Sequence, residues 1–306
     1  MAFLTLSNNK KAIYINSGYY NTKYACDGVY KIMESKAQIN DCANKYLVIE
    51  DEKLEVGVGK RDINTKDNNL LNHYLTVYSI LDFCNTEDEV NILLALPYHQ
   101  FINLELRETY KKGLSSKPLE YNINGVNKKV LVDKCEVYLE GASAMLNAKQ
   151  QEEYKSKFDD NIIGLIDIGG NTILCMIFDN GKLIKKTIVQ INSSMLVLET
   201  NIINNINSKL SAYYQDYEFK RLLKSEDKII KDIIENRVSI FIENLIYELR
   251  VNQWNDIRNI PLFFTGGGSI ILKPYLEVEF PNAIFSNDAL YDNLKGLEIV
   301  GKVAFR

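Results

Sequence analysis

The sequence has few of the residues from which disulfide frameworks and metal clusters are built. Its 306 residues include five cysteines and two histidines. The cysteines are odd in number, widely spaced and without a Cys-x-x-Cys pair, which argues against disulfides and against a thiolate metal site. They are Cys26, Cys42, Cys84, Cys135 and Cys175. The histidines, His73 and His99, are too few for a histidine-ligated metal cluster.

Long hydrophobic runs are also missing. No apolar stretch approaches the roughly 18 to 20 residues that span a bilayer, so no membrane segment is expected. Residues 1–11 show neither the basic start nor the apolar core of a secretion signal, and we expect the protein in the cytoplasm. The net charge of −4 argues against extensive direct contact with nucleic acid, because lysine and arginine drive such binding.

What the sequence does contain is a pattern of sharp glycine turns after strands. A strand at Ala12–Asn16 runs into a Ser-Gly turn, and a second strand follows at Thr22–Cys26. Asp27-Gly28 then predicts a two-residue hairpin turn into a third strand from Val29.

The same plan recurs about half the chain length later. A strand at Gly164–Ile168 meets the turn Gly169-Gly170-Asn171, a second strand follows at Thr172–Phe178, and Asn180-Gly181 predicts a hairpin into a strand at Lys182–Val189. A repeat on this scale predicts a duplicated domain, and the chain length suits two lobes.

The remaining segments predict alternating helices and strands. Glu140 is expected in the first turn of the helix that runs from Leu139 to about Lys157. The predicted elements are a helix at Asp67–Cys84, a strand at Val90–Leu96, a hairpin at Tyr121–Val137, the helix from Leu139, helices near Met195–Tyr214 and Glu226–Trp254, a strand at Leu262–Thr265 and a helix from about Ile270.

Each glycine turn could bind an anion through backbone N–H groups that point into one concavity. In the first turn the predicted phosphate-binding residues are Asn16, Ser17, Gly18, Asn21, Thr22 and Lys23. In the second they are Gly169, Gly170, Asn171 and Thr172, with Asp167 facing a cation or water. Either turn alone could be an ordinary hairpin, but their recurrence in two half-chains favours a phosphate clamp.

Two further features could carry chemistry. Gly266-Gly267-Gly268 follows an apolar strand and lets backbone approach a ligand closely, although it could equally be a flexible turn. Glu140 could orient a water for attack on a phosphate or could satisfy a helix dipole.

The other phosphate motifs fail. Gly57-Val58-Gly59-Lys60 has Leu54 in place of the first P-loop glycine and Arg61 in place of Ser or Thr. Asp62 stands where a dinucleotide fingerprint needs its third glycine.

Four motifs in this order resemble the actin, Hsp70 and sugar-kinase superfamily, and the compact length most resembles bacterial actin-like proteins of the ParM type. They are the first phosphate turn Ile15–Lys23, the connecting helix Glu140–Ala144, the second phosphate turn Asp167–Thr172 and the adenosine motif Thr265–Gly268. The resemblance implies an α/β, ribonuclease H-like duplicated fold with a nucleotide cleft between two lobes. The first lobe would be 1–157 with 287–306, including a small insertion at about 31–90, and the second 158–286, including a helical part at about 195–259.

The resemblance also implies a function. A bacterial, cytoplasmic ATPase would bind ATP, or GTP, with Mg²⁺ and assemble into a head-to-tail filament for plasmid segregation through a DNA-binding, ParR-like adaptor. Glu140 would orient water, Asp167 would face metal or water, Asn16 would face the metal through water, and Gly266–Gly268 would adjoin the nucleotide.

One departure from the family concerns Asn16. The family's first phosphate turn usually begins with Asp, so weaker metal binding or slower hydrolysis is expected here. Two other functions stay open: a small-molecule kinase of the same superfamily, for which no sugar-recognition signature stands out, and a nucleotide-binding scaffold that no longer hydrolyses.

Overall fold

The computed structural model describes residues 10–61, 70–158, 162–254, 257 and 259–306. They form two compact units: unit 1 contains the described residues up to Leu139 together with Leu294–Arg306, and unit 2 is Glu140–Asn293. These boundaries differ from the sequence-based ones at 157 and 287. Residues 140–158 belong to unit 2 because their side chains pack there; the Tyr154 ring, for example, meets that of Phe263 edge-on at 5.5 Å.

The elements alternate along the chain. The strands are β1 Lys11–Ser17, β2 Asn21–Cys26, β3 Val29–Glu34, β4 Ala37–Ile39, β5 Tyr46–Ile49, β6 Glu52–Val56, β7 Glu89–Leu96, β8 Leu119–Ile123, β9 Val126–Leu139, β10 Ile162–Ile168, β11 Ile173–Asp179, β12 Lys182–Leu183, β13 Val189–Ile191, β14 Leu262–Thr265 and β15 Ile284–Phe285. The helices are α1 Leu70–Leu81, α2 Tyr98–Ile102, α3 Leu104–Ser115, α4 Ala142–Gln150, α5 Glu152–Phe158, α6 Met195–Leu210, α7 Phe219–Leu222, α8 Lys228–Val251, α9 Gly267–Glu279 and α10 Asp292–Ala304.

The two units share one sheet plan. Among the described residues the sheet of unit 1 has the order β3-β2-β1-β7-β9-β8-β5-β6-β4, and that of unit 2 has β12-β11-β10-β14-β15 with β13 on β11. In each unit an antiparallel hairpin, β1–β2 or β10–β11, lies beside a parallel strand, β7 or β14. The first five strands of the unit 1 order therefore match the path β12-β11-β10-β14-β15 of unit 2, and the predicted duplicated α/β fold is confirmed.

Each unit has its own apolar core. In unit 1, β7 is buried from Val90 to Leu96 and α1 packs Leu75 and Tyr78 into the same cluster. In unit 2, β10 is buried from Ile163 onward and helices α6 and α8 cover it. Burial of each such side chain stabilises the fold by ~1.5–3 kcal/mol, which is why the central strands read as continuous apolar runs.

The turn chemistry is confirmed where the dipeptides predicted it. Asp27 and Gly28 have φ of 49° and 77°, and Asn180 and Gly181 have φ of 50° and 72°. These left-handed pairs suit the twist of a two-residue hairpin.

Some predicted boundaries were wrong. The strand expected at Lys182–Val189 is broken by a 3₁₀ turn, Lys185–Thr187, because the Thr187 hydroxyl accepts the Ile177 N–H at 2.9 Å in place of ladder pairing. The helix expected from Leu139 to Lys157 is α4 and α5, and α9 begins three residues before Ile270. Of the predicted helix Asp67–Cys84, residues 67–69 lie outside the described residues.

Disulfides and membrane-spanning helices can be assessed for the described residues only. All five cysteines are described and none forms a disulfide. No described helix combines the length and apolar character that a membrane span requires.

Candidate functional site

The two glycine turns are closed by the same backbone bond. The Gly18 N–H donates to the Asn21 carbonyl at 3.1 Å, and the Gly169 N–H donates to the Thr172 carbonyl at 2.9 Å. A Cβ on Gly18 or Gly169 would lie 3.0 or 2.8 Å from the accepting carbonyl, so a side chain at either position would crowd its own turn. These two N–H groups are used within the turns. Any N–H donor to a ligand would therefore belong to a neighbouring residue and not to Gly18 or Gly169.

The second turn also caps a helix. The Gly170 carbonyl accepts from the Leu196 N–H at 2.9 Å and from the Ser194 hydroxyl, and the Gly169 carbonyl accepts from the Met195 N–H at 3.4 Å. Both carbonyls therefore point at the first turn of α6, where unsatisfied N–H groups need acceptors.

This capping fixes the direction of the next N–H groups. In a trans peptide the C=O and N–H bonds point in opposite directions, so the N–H groups of Gly170 and Asn171 point away from α6. No described residue accepts a hydrogen bond from the N–H of Gly170, Asn171 or Thr172. Successive N–H groups aimed to one side form an anion-binding concavity.

Asp167 lies at the start of this turn, at the end of β10. It is 8% exposed and its Oδ2 accepts from the Asn293 amide at 2.6 Å. Parallel pairing sets Asp167 opposite Thr265, which brings Gly266, the first of the three glycines, beside its carboxylate. A Cβ on Gly266 would lie 2.3 Å from Asp167 Oδ1.

The three glycines have different roles. Gly266 has φ of +82° and lies against Asp167, and a Cβ on Gly268 would lie 2.4 Å from Ile168 Cγ2. Gly267 has room, since its Cβ would be 3.7 Å from the nearest atom. Protein packing therefore accounts for Gly266 and Gly268, and only Gly267 keeps the predicted space for a ligand's approach.

Glu140 lies between β9 and α4. It precedes the helix instead of lying in its first turn, because Gly141, with φ of +74°, separates it from Ala142. The Gly141 N–H donates to Asn293 Oδ1 at 2.8 Å, which ties this loop to the residue that bonds Asp167. Glu140 is partly exposed, as a residue that meets water must be.

Asp292 is a second buried acid in unit 2. It is fully buried, and it accepts from Asn147 Nδ2 at 2.7 Å and from the Thr265 hydroxyl at 2.5 Å. Burial raises the pKa of Asp292 above its ordinary value of 3.8, because the surroundings disfavour the charged form.

Replacing Asp292 with asparagine should remove a pH-dependent loss of stability. A carboxyl whose pKa is higher in the folded state keeps its proton to a higher pH when the protein is folded. Its contribution to the free energy of unfolding therefore falls as pH rises from 3.8 through the folded pKa. The stability of Asp292→Asn relative to the parent should therefore increase from acidic to neutral pH. Urea unfolding followed by fluorescence of Trp254, the only tryptophan and a unit 2 residue, measures this; a constant difference would contradict it.

In the first turn, Asn16 is 6% exposed and pairs across the hairpin with Lys23. Directly opposed residues place their side chains on one face, so an amide and an ammonium lie together there. Among the described residues no donor reaches the buried Oδ1 of Asn16. An unsatisfied buried oxygen costs ~1–3 kcal/mol, and a ligand or a hydrated cation could supply the missing donor.

The side chains of Ser17 and Thr22 are engaged inside unit 1. The Ser17 hydroxyl donates to Asn72 Oδ1, and the Thr22 hydroxyl lies 3.0 Å from that of Ser35. Both residues are at most 4% exposed, so any contact of theirs with phosphate would use backbone.

Arg61 supports the first turn. Its guanidinium donates to the Tyr20 carbonyl at 2.6 Å and to Glu34 at 2.9 Å, and it stacks 4.1 Å from the Tyr20 ring centre. The segment that fails as a P-loop therefore ends in a residue that braces a candidate phosphate turn.

The donor set suits magnesium better than a transition metal. No group of three or more His, Cys, Asp or Glu in the described chain could hold a metal ion. Mg²⁺ keeps several waters and takes one or two protein oxygens plus phosphate, so the oxygen ligand that Asp167 offers within unit 2 fits it.

Sequence reasoning missed three of these residues. Arg61 was noted only as part of the rejected P-loop motif, and Asn293 only as one residue of the range 287–306 assigned to the first lobe. Asn72 lies on α1 with no sequence signal, since its role depends on packing against the first turn.

No protein-family model matches the sequence, and no curated protein is significantly similar to it in sequence. Solved structures match nearly the whole chain. A 15-stranded ParM filament from Clostridium botulinum is 18% identical with a TM-score of 0.77, covering 96% of this chain and 99% of that one. The apo ParM protein of pSK41 is 16% identical (TM-score 0.70, 97% and 98% covered). An archaeal actin homolog in complex with ADP is 14% identical (TM-score 0.78, 96% and 99% covered). As the sequence resemblance predicts, this chain has the actin-like fold of the ParM proteins.

Proposed function

We propose that this chain is a nucleotide-dependent, filament-forming actin-like ATPase, with GTP as the alternative nucleotide. The observation that carries the proposal is the second turn, where the N–H groups of Gly170 and Asn171 point away from α6 beside the buried carboxylate of Asp167. Donors and an acid at one strand end suit a phosphate and its counter-ion. The fold shared with an ADP-bound actin homolog supports it.

In this proposal the turns bind phosphate and the acids act on water. Gly170, Asn171 and Thr172 donate backbone N–H groups to phosphate oxygens, and Lys23 adds a positive charge from the first turn. Gly267 lies beside the nucleoside. Mg²⁺, when bound, neutralises charge that develops on the phosphates.

Hydrolysis then needs positioning more than covalent chemistry. Glu140 orients the attacking water by accepting its hydrogen bond. Asp167 orients water on the metal side, and the Asn293 amide holds its carboxylate in place. Asn16 contributes a neutral oxygen where related proteins usually have an acid.

Assembly is the second part of the proposal. Two structural neighbours are filaments, a ParM filament and an Alp12 filament, which supports self-assembly for this chain. A head-to-tail filament needs two different complementary surfaces on each subunit. We propose that such filaments act in plasmid segregation in the bacterial cytoplasm and meet DNA through a ParR-like adaptor.

Light scattering and phosphate release, recorded together with ATP or GTP and Mg²⁺, test the proposal. Scattering that rises on nucleotide addition and decays with phosphate release is expected. Turnover only after a sugar or acid acceptor is added would instead indicate a kinase. Nucleotide binding without turnover would indicate a scaffold.

Replacing Asn16 with aspartate should raise the hydrolysis rate or the Mg²⁺ affinity by about tenfold, equivalent to ~1.4 kcal/mol. The new carboxylate would occupy the position of the orphaned Oδ1, opposite Lys23. Phosphate release at varied Mg²⁺ concentrations measures both quantities, and no change in either would contradict the expectation. Asn91→Asp is the matched control, since Asn91 in β7 is also 6% exposed with an orphaned Oδ1 but lies outside the turn.

A further inference from the structure

One buried side chain in unit 2 bonds to Asp167 and to the backbone beside Glu140, the two proposed catalytic acids. Asn293 is 8% exposed, and its Nδ2 donates to Asp167 Oδ2 at 2.6 Å. Its Oδ1 accepts from the Gly141 N–H at 2.8 Å. That N–H belongs to the peptide that joins Glu140 to Gly141, so a single amide fixes the Asp167 carboxylate and the backbone that carries Glu140.

The chemistry of this position admits one orientation of an amide. The Ser143 hydroxyl also donates to Asn293 Oδ1, at 2.8 Å, so two donors require oxygen on that side. The carboxylate of Asp167 requires a donor on the other side, where a charge-assisted hydrogen bond is strongest. An amide supplies both, because a carboxylate would repel Asp167 and an apolar side chain would remove the hydrogen bond to it.

The neighbouring residue shows a contrasting pattern. Asp292 bonds Asn147 and Thr265, whereas Asn293 bonds Asp167 and the Gly141 N–H. Asn147 is 7% exposed and makes its bond from α4, the same helix that carries Ser143. It therefore matches Asn293 in residue type, burial and neighbourhood.

We propose that Asn293 is a positioning residue for nucleotide hydrolysis, which holds the Asp167 carboxylate and the Glu140–Gly141 peptide in a fixed relation. The inference rests on the proposed function. Asn293 acts through these two groups and not on the nucleotide, so its loss should affect turnover and the Mg²⁺ dependence of binding more than nucleotide binding itself.

The test compares Asn293→Ala with Asn147→Ala, with Ser143→Ala as a milder variant. Asn293→Ala should lower kcat at least about tenfold and reduce the gain in ATP affinity that Mg²⁺ gives, measured by calorimetry with ATP alone and with Mg²⁺ added. The affinity for ATP without Mg²⁺ should change less than about threefold. Asn147→Ala should lose similar stability by Trp254 fluorescence while keeping kcat within about twofold.

Each outcome of this comparison either supports or overturns the positioning role of Asn293. Equal losses of kcat in Asn293→Ala and Asn147→Ala, or an unchanged Mg²⁺ effect in Asn293→Ala, would overturn the inference. If Asn293→Ala does not fold, Ser143→Ala decides, since it removes one of the two donors that hold the amide oxygen: an unchanged kcat and Mg²⁺ effect would count against positioning. If the parent protein binds ATP without turnover, only the proposed hydrolysis is contradicted. The role of Asn293 is then tested by comparing the gain in ATP affinity that Mg²⁺ gives in the parent and in Asn293→Ala. A parent that binds no nucleotide overturns both.

Discussion

Asp167→Asn should lower the rate of nucleotide hydrolysis by about a thousandfold, equivalent to ~4 kcal/mol of transition-state stabilisation, while nucleotide binding persists. The substitution keeps the shape of the side chain, so the tight contact with Gly266 and an oxygen for the Asn293 amide are retained. What it removes is the negative charge that, in the proposed function, orients water beside the phosphates. The N–H donors of Gly170 and Asn171 are unchanged, and they account for the residual binding.

Phosphate release and calorimetric binding, measured on the same preparation, check this expectation. Asp179→Asn is the matched control, because Asp179 is an exposed carboxylate at the far end of the same hairpin, opposite Ile162. It should hydrolyse nucleotide like the parent. Hydrolysis by Asp167→Asn within tenfold of the parent rate would show that the second turn does not supply the catalytic acid.

Gly266→Ala should destabilise unit 2 by ~3 kcal/mol or more, whereas Gly267→Ala should leave its stability within ~1 kcal/mol. Gly266 has φ of 82° and ψ of 159°, a conformation that is essentially restricted to glycine. Its Cβ would also lie 2.3 Å from Asp167 Oδ1 and 2.6 Å from the Ile168 carbonyl. Neither neighbour can move without disturbing β10 and the second turn.

The adjacent glycine provides the control. Gly267 opens helix α9, where alanine is the better helix former, and its Cβ would meet only Leu290 at 3.7 Å. Urea unfolding followed by Trp254 fluorescence reports on unit 2 for both variants. If Gly267 lies beside the nucleotide as proposed, Gly267→Ala should bind ATP more weakly although it is folded. Unfolding of both variants at the same urea concentration would contradict the packing role of Gly266.

Local chemistry made much of the fold predictable. The Asp-Gly and Asn-Gly hairpins follow from residues that accept a positive φ, and β7 and β10 follow from continuous apolar runs. The repeat of strand, glycine turn and strand was enough to predict a duplication, which the matching sheet orders confirm. The predicted helix ends were less accurate. Gly141 separates Glu140 from α4, and α9 begins at Gly267, directly after Gly266 as its N-cap.

Tertiary structure reassigned several site residues. The glycines Gly18 and Gly169 close their turns instead of donating outward, and the hydroxyls of Ser17 and Thr22 are bonded internally. Sequence alone shows which groups can donate, but which donors already have partners depends on neighbours distant in the chain. Arg61 is such a neighbour, 41 residues from the Tyr20 carbonyl that it binds.

The two glycine turns, Asn16–Lys23 and Asp167–Thr172, are the features on which the proposed function depends. By itself the sequence determined their existence, their equivalence and the amide of Asn16 where the second turn has Asp167, because turn residues and strand periodicity act over a few neighbours. Only the tertiary structure decided which N–H groups are directed outward at Gly170 and Asn171, and that Asn293, 126 residues from Asp167, completes the second turn. Hydrogen-bond partners are set by which strands and helices pack together, and that information is spread over the whole chain.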